Sequence, residues 1–160
     1  MNKLTIQSIL LGIKIVIQSV KNAIVSVDET IVGQIGSGYL LLVGVHCDDT
    51  IDDIVYCAKK VNGLRIFEDE QGKMNLDIHQ VNGQILSISQ FTLYGDPRKG
   101  NRPSFIEAAR PENANDLYLK FNELLRDMGN MVETGVFQAD MKVSLINDGP
   151  VTIILDSKDR

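Results

Sequence analysis

The sequence predicts one α/β domain in which β-strands precede, separate and follow two helices. Two segments, 51–61 and 111–128, repeat apolar residues at helical spacing, and each begins at a helix-start signal. The runs around them are short, apolar and bounded by Gly, Pro, Asn and Asp, which is typical of strands. No linker, repeat or low-complexity segment divides the 160 residues. We therefore expect the order ββ-(βα)2-βββ, with strand edges near both ends of the chain where a second subunit could pair.

The first strands lie in a stretch rich in β-branched residues. Residues 13–27 are broken at Lys21-Asn22, which predicts two strands joined by a tight turn. A buried strand, 39–45, follows the glycines at positions 33, 36 and 38. A phosphate-binding loop needs a helix after its glycines, so these are interpreted as turn residues.

Both helices carry signals at each end. Asp48-Asp49-Thr50 can cap the first, and Asn62-Gly63 stops it. Pro111 starts the second, and Gly129 ends it. The residues expected to face inward from the second helix are Leu117, Phe121, Leu124, Leu125 and Met128.

The second half of the chain supplies the remaining strands. Residues 64–67 are a short strand candidate before a polar turn, and 85–93 form a clear strand. A polar loop, 94–102, follows that strand. Three further strand candidates close the chain: 131–134, 141–146 and 151–155.

The composition limits the function classes. The chain is 44% hydrophobic and 23% charged, ordinary values for a globular domain. A net charge of −5 argues against a broad RNA-coating role, although it permits a local basic site. The two cysteines, Cys47 and Cys57, lie in or beside apolar runs and are predicted to be buried free thiols in a reducing cytoplasm.

The first residues are set apart from the fold. Lys14 interrupts the apolar run near the N-terminus, and no small-residue cleavage site follows, so a signal peptide is disfavoured. No apolar stretch is long enough to span a membrane. We therefore divide the chain into an N-terminal extension, residues 1–12, and a domain, residues 13–160.

Three segments carry polar groups that could do chemistry. If Ser89 to Leu93 continue the strand, polar and apolar groups share both of its faces; the segment is either an ordinary amphipathic strand or the floor of a site. Asn147-Asp148-Gly149-Pro150 is either a hairpin turn or a special backbone device with a cis peptide bond. The loop of residues 96–102 holds three cations and is either solvated or in contact with a nucleic-acid backbone.

The histidines give little support to a conventional catalytic base. His46 and His79 are the only two, and neither lies near a nucleophile in the sequence. Together with Cys47 and Cys57 they lack the spacing of metal ligands.

Taken together, SQFTL (89–93), GNRPSF (100–105) and NDGPVT (147–152) resemble the bacterial and eukaryotic D-aminoacyl-tRNA deacylases. The similarity runs from about Ile13 through RIFEDEQGKMN (65–75) to the C-terminal strand. The resemblance implies a three-layer α/β fold, a homodimer with shared active sites, aminoacyl-tRNA as substrate, and no cofactor or metal. It also implies hydrolysis of D-aminoacyl-tRNA to free tRNA and D-amino acid as proofreading in translation.

The resemblance also assigns roles to residues. The site floor and catalytic groups are Ser89, Gln90, Phe91 and Thr92, with the backbone N–H groups of Phe91 and Thr92 as oxyanion donors. The chirality-selecting motif is Gly149-Pro150, with a cis bond, reaching into the partner's site to exclude L substrates. Residues expected near the substrate are Asn147, Val151, Thr152 and Met141, and those expected on tRNA are Arg98, Lys99 and Arg102. Since glycine has no side chain to exclude, glycyl-tRNA, including glycine mischarged on tRNA(Ala), is also an expected substrate.

One position departs from the family pattern. The family usually has Arg after the Gln of the first strand, and that Arg holds the Gly-Pro motif; this chain has Ser19 after Gln18. Serine lacks a guanidinium fork, so chirality control depends on other contacts or is looser. Two alternative functions are a non-catalytic tRNA-binding module on the same fold and a His- or Thr-dependent esterase for small molecules.

Overall fold

The computed structural model describes residues 12–160, and they form a curled sheet with two helices. In chain order the elements are β1 Lys14–Val27, β2 Thr30–Ile35, β3 Gly38–Gly44, α1 Ile51–Gly63, β4 Phe67–Glu68, β5 Met74–Leu76, β6 Gln84–Ser89, a 3-10 turn Phe91–Tyr94, α2 Pro111–Asp127, β7 Val132–Thr134 and β8 Lys142–Asp156. The class predicted from the sequence, mixed α/β with two helices, is confirmed.

The main sheet has the strand order β2-β1-β3-β6-β7, with β8 added along β1. β1 is antiparallel to all three of its neighbours, pairing with β3 through its first half and β2 through its second. The pairs β3–β6 and β6–β7 are parallel. β8 runs beside both halves of β1 and is therefore the edge strand on that side.

The apolar residues form a core on each face of the sheet. Both helices pack on one face, where Ile15, Tyr39, Ile54 and Phe121 are among the wholly buried side chains. On the other face the second half of β1, β2 and the start of β8 fold over β3 and β6 around a second cluster. Helices, central sheet and folded-over strands make three layers.

The strand predictions were wrong at both ends of the chain. β1 is one strand through Lys21-Asn22, and β8 is one strand through Gly149-Pro150, so the order is not ββ-(βα)2-βββ. Because β1 and β8 pair along most of their length, each strand continues through residues that the sequence alone marks as a turn. β2 was also missed, because Gly33, interpreted as a turn residue, lies inside it. The candidate strand 64–67 meets β4 only at Phe67, and β5, three residues long, was not predicted.

The helix predictions are confirmed within two residues. Thr50 and Asp53 form a capping box at the start of α1, whose end includes Gly63 rather than stopping before it. Pro111 starts α2, which ends at Asp127, and Gly129 follows with φ +95°.

Two predictions about the chain's ends and thiols need adjusting. Residues 1–11 of the predicted extension lie outside the described residues, but Gly12 belongs to the folded body: a Cβ there would lie 2.2 Å from Ser157 Oγ. Cys57 is buried as predicted, whereas Cys47 is exposed, because the chain leaves the sheet after β3. Within residues 12–160, no helix is both long and apolar enough to cross a bilayer.

Candidate active site

A cavity of about 630 Å³ opens where β6 ends, α2 begins and the chain approaches β8. Its volume lies within the range of small-molecule sites, about 300–1,000 Å³. The lining is mostly apolar: Val43, Val45, Ile88, Ser89, Gln90, Phe91, Phe105, Ala108, Ala109, Arg110, Pro111, Ala114, Phe137, Gln138, Ala139, Asp140, Met141 and Val143.

The floor of the cavity is a turn, not the strand that the sequence suggested. β6 ends at Ser89, where its partner β3 also runs out, and the Gln90 N–H donates to the Val43 carbonyl at 2.8 Å. Residues 91–94 then close a 3-10 turn. Gly44 lets this turn lie close to β3, because a Cβ there would be 3.1 Å from the Gln90 carbonyl oxygen.

The turn leaves two backbone donors free. Phe91 and Thr92 are the first residues of the 3-10 turn, and no side chain caps it. The first N–H groups of a helical turn have no acceptor within the turn itself. In the part of the chain that the structure describes, neither N–H has an acceptor elsewhere. Phe91 lines the cavity, so two free donors lie at or beside its floor.

The Thr92 hydroxyl is held by its neighbour. The Gln90 side-chain amide donates to Thr92 Oγ1. The hydroxyl oxygen is thus an acceptor, and its own hydrogen is left to donate. Activation of this hydroxyl as a nucleophile needs a base on that hydrogen, and no described side chain accepts from Thr92.

An aromatic pair joins this floor to the loop of residues 96–104, called the basic loop here. The rings of Phe91 and Phe105 meet edge to face, with centroids 5.2 Å apart. Asp96 and Ser104 bridge the two ends of the loop through reciprocal backbone hydrogen bonds of 2.8 and 2.9 Å. The loop is therefore fixed at the rim of the cavity.

The three cations of the loop are not equivalent. Arg98 donates to both oxygens of Asp96, at 2.8 and 2.7 Å, and these hydrogen bonds lower the pKa of Asp96 to about 2. Lys99 and Arg102 are exposed, and neither has an ion-pair partner among residues 12–160. Two of the predicted tRNA contacts are therefore free cations, and the third is already paired.

Ionisable groups are scarce in the cavity. Arg110 and Asp140 are the only ones among its described lining residues, and Asp140 is paired with Lys142 at 3.0 Å. Neither histidine lines the cavity. His79 bonds Asn62 Oδ1 at 2.6 Å, while His46 Nδ1 accepts the Asp48 N–H at 3.1 Å. A His-dependent esterase has no support in this arrangement.

His46, Cys47 and Asp48 lie close enough to be considered as metal ligands. The Cys47 sulfur, however, is 3.8 Å from one ring nitrogen of His46 and 3.9 Å from the other, so it lies off the lone-pair direction of both. The Nδ1 atom is also occupied by the Asp48 N–H. The three groups do not converge on a common point as zinc ligands do.

The Gly-Pro segment lies apart from this chain's own cavity. The Gly149-Pro150 peptide bond is cis, and both residues are exposed. Neither is among the lining residues of the cavity. Gly149 has φ +122°, and a Cβ there would be 2.8 Å from Val151 Cγ2, so only glycine fits without strain.

The residues predicted for catalysis, chiral selection and substrate contact fall into two groups. Ser89, Gln90, Phe91 and Met141 line the cavity, and Thr92 follows Phe91 in the turn without lining it. Asn147, Val151 and Thr152 lie with Gly149-Pro150 on β8, away from it. Sequence reasoning missed Phe137, Arg110 and the 138–140 segment, which no local motif marks; Phe105 is part of GNRPSF and was not singled out.

The fold and cavity define a small mixed α/β protein with an apolar pocket and two free backbone donors at or beside its floor. Comparison with known proteins identifies the family. The family model for D-Tyr-tRNA(Tyr) deacylase matches residues 16–156. Relatives named D-aminoacyl-tRNA deacylase are 59% identical in Bacillus cereus (strain G9842), over 91% of this chain and 99% of the relative, and 58% identical in Thermotoga petrophila, over 89% and 95%.

Two solved structures share the fold of this chain. A chain described as c-Myc DNA Unwinding Element Binding Protein superposes with a TM-score of 0.84 at 39% identity, covering 89% of this chain and 97% of that one. A probable eukaryotic D-amino acid tRNA deacylase, 17% identical, shares the fold with a TM-score of 0.79. The chain belongs to the D-Tyr-tRNA(Tyr) deacylase family. It is a D-aminoacyl-tRNA deacylase, a hydrolase of carboxylic esters.

Proposed function

We propose that this enzyme hydrolyses D-aminoacyl-tRNA, and glycine mischarged on tRNA(Ala), by backbone stabilisation of the oxyanion, and that it excludes L substrates with the Gly149-Pro150 segment of a second copy. The observation that carries the proposal is the pair of free N–H groups, Phe91 and Thr92, at or beside the floor of a cavity whose one described carboxylate, Asp140, is ion-paired.

The proposed hydrolysis does not require a catalytic side chain. Water adds to the ester carbon, the bond to the ribose oxygen breaks, and the proton that water loses ends on that oxygen, so tRNA and amino acid leave. Negative charge develops on the carbonyl oxygen, and fixed N–H donors stabilise it. One such donor is typically worth about 2.7–4 kcal/mol of barrier. The neighbouring ribose hydroxyl positions the water, so the reaction does not require a side-chain base.

The cavity has room for the aminoacyl end of the substrate. Its walls from Phe137 to Met141 and around Ala109 are mainly apolar, and they suit side chains of varied size. Broad acceptance of D-amino acids is therefore expected, since the site does not need to recognise each side chain.

Selection against L substrates is assigned to Gly149 and Pro150. A side chain is rejected when rigid atoms already occupy its space. The segment is exposed and does not line this chain's cavity, which is the position expected of a group that serves a partner's site. The edge strand β8, with Ile146 53% and Ile154 73% exposed, offers an unpaired edge and apolar contacts for a homodimer.

The loop of residues 96–104 is assigned to the tRNA backbone. It sits at the rim of the cavity and presents Lys99 and Arg102, neither of which is ion-paired within residues 12–160. Phosphate contacts of this kind position a nucleic acid without reading its sequence. The overall charge of −5 makes such a local contact the main electrostatic attraction for tRNA.

The test is deacylation of matched D-tyrosyl-tRNA, L-tyrosyl-tRNA and glycyl-tRNA(Ala), with light scattering on the same sample. Loss of the D and glycyl esters, with the L ester spared and a dimer in solution, supports the whole proposal. Resistance of glycyl-tRNA at high enzyme concentration contradicts exclusion, and a monomer that keeps its selectivity contradicts the shared site. A non-catalytic binding module would release no amino acid from any of the three.

A further inference from the structure

The pairing of β8 with β1 shifts register at the Gly-Pro segment. Gln18 pairs with Thr152 and Val20 pairs with Asn147, so β1 advances two residues while β8 advances five. Residues 148–151 consequently form a bulge within β8, called the excursion here, and have no paired residue on β1. Ser19, opposite the gap, has no paired residue on β8.

Asn147 closes the base of this excursion. Its side-chain amide donates one hydrogen bond to the Ser19 carbonyl and another to the Val151 carbonyl, each at 3.0 Å. The first contact ties the excursion to β1, and the second joins its two ends. An asparagine amide has two N–H hydrogens, so both are used on carbonyl groups of residues that have no partner in the β1–β8 pairing.

A second layer of contacts orients the amide. Thr152 Oγ1 donates to Asn147 Oδ1 at 3.5 Å, and the Gln18 side-chain amide donates to Thr152 Oγ1 at 3.4 Å. The chain Gln18–Thr152–Asn147 therefore runs from one side of the gap to the other. Both contacts are long for hydrogen bonds, and they favour the orientation in which the Asn147 amide nitrogen faces the two carbonyl groups.

Ser19 cannot take over this task. Its side chain is short and 6% exposed, and the contact it makes to the excursion is through its backbone carbonyl, as an acceptor from Asn147. Among the described residues no arginine or lysine side chain bonds to residues 147–152. The restraint on Gly149 and Pro150 in this chain is therefore made of neutral amide and hydroxyl groups.

We propose that Asn147 is the positioning residue that sets the chiral selectivity of this enzyme, with Thr152 orienting its amide. This inference rests on the proposed function of Gly149 and Pro150. Asn147 acts through the excursion and not on the reacting atoms. Its role is distinct from the direct substrate contact that the sequence suggested for it.

The test is a pair of variants with nearly unchanged shape. Asn147→Asp replaces the donating amide by a carboxylate, which accepts only and faces two carbonyl oxygens. Thr152→Val removes the orienting hydroxyl, while Thr152→Ser keeps it. Asn22→Asp adds the same charge at an exposed position of β1 and serves as the control. The readouts are the separate rates on D- and L-tyrosyl-tRNA and the melting temperature of each variant.

We expect the absolute rate on L-tyrosyl-tRNA to rise at least about tenfold in Asn147→Asp, which corresponds to about 1.4 kcal/mol of lost discrimination. Thr152→Val should show a smaller rise, and Thr152→Ser and Asn22→Asp none. General damage lowers both rates and cannot produce a gain on the L ester. A folded Asn147→Asp or Thr152→Val protein with unchanged discrimination overturns the proposal. If Asn147→Asp does not fold, Thr152→Val decides the question alone.

The two proposals fail in different ways. If the unmodified enzyme already cleaves L-tyrosyl-tRNA as fast as the D ester, exclusion by Gly149 and Pro150 is wrong. If the unmodified enzyme is selective and the variants remain so, exclusion stands and only the role of Asn147 is wrong.

Discussion

The rings of Phe91 and Phe105 pack edge to face, with centroids 5.2 Å apart and planes at 64°. One ring follows the end of β6, and the other ends the basic loop, so the pair links the proposed oxyanion donors to the proposed tRNA contact. Both side chains remain substantially exposed, at 56% and 38%. Because neither ring is deeply buried, their contact adds little to the stability of the fold. Its main effect is to hold the rim of the cavity in position.

Phe105→Ala should therefore reduce activity more than stability. An edge-to-face pair contributes about 0.5–1.5 kcal/mol beyond burial, and loss of alignment at Phe91 should lower kcat/KM for D-tyrosyl-tRNA about tenfold. The neighbouring Ile106→Ala, at a side chain 87% exposed, is the matched control. Equal losses in the two variants, or a fall in melting temperature that accounts for the loss, would argue against a role in alignment.

Thr92→Val tests whether the hydroxyl or the backbone carries the reaction. The variant keeps the backbone N–H and the side-chain shape but loses the acceptor of the Gln90 amide. We expect a loss of about tenfold in kcat, much less than the loss of 10⁴-fold or more, roughly, that removing a nucleophile causes. Asp140→Asn, which removes the one carboxylate lining the cavity, should change kcat no more than about threefold. Near-abolition by Thr92→Val would make the hydroxyl a nucleophile, and near-abolition by Asp140→Asn would make that carboxylate the base.

How far the sequence predicted this molecule depends on whether a signal was local. Helix α1 was predictable because Thr50 and Asp53 form a capping box within four residues, and α2 because Pro111 stands at its start. The turn at Phe91 was not predictable from a local signal. β6 stops there because its neighbour β3 has ended. The length of β8 was hidden as well, since its turn signals at 147–150 lead into a bulge, and pairing with β1 on both sides of that bulge continues the strand. For the site, the motifs located the floor and the Gly-Pro segment, while the wall at Phe137 depends on tertiary packing.

The pH dependence of stability should reveal the partly buried carboxyl of Asp49, just before α1. Burial raises the pKa of Asp49 to about 7, although its Oδ2 accepts the His46 N–H at 2.6 Å. Asp53 and Asp156 raise this pKa further, and Lys158 opposes them. At Asp53 burial acts in the same direction, but hydrogen bonds from Lys158 and the Thr50 N–H outweigh it and lower the pKa.

The direction of the pH effect on stability follows from the raised pKa of Asp49. An unfolded Asp has a pKa of about 3.9, so between that value and about 7 the folded state binds a proton that the unfolded state has lost. Protonated Asp49 therefore stabilises the folded state fully below roughly pH 4, and this stabilisation is lost as the pH rises through 7. We expect Asp49→Asn to gain about 2 kcal/mol relative to the unmodified protein between pH 5 and pH 8, allowing for partial exposure. Urea unfolding at the two pH values measures this, and a parallel pH dependence for both proteins would show that Asp49 titrates normally.

The free cations of the loop should control the affinity for tRNA, not the chemistry. Arg102 has no ion-pair partner in the described structure, so Arg102→Ala removes one contact available to a phosphate. We expect KM for D-tyrosyl-tRNA to rise severalfold with kcat little changed, and the slope of log KM against log salt to fall by about 0.7–0.9. Arg98→Ala should have a smaller effect on the slope, because Arg98 is already held by Asp96 at 2.7 Å, and Lys142→Ala, on the exposed pair with Asp140, provides a charge-matched control. A salt slope that is the same for Arg102→Ala and the unmodified enzyme would place the tRNA backbone on a different surface.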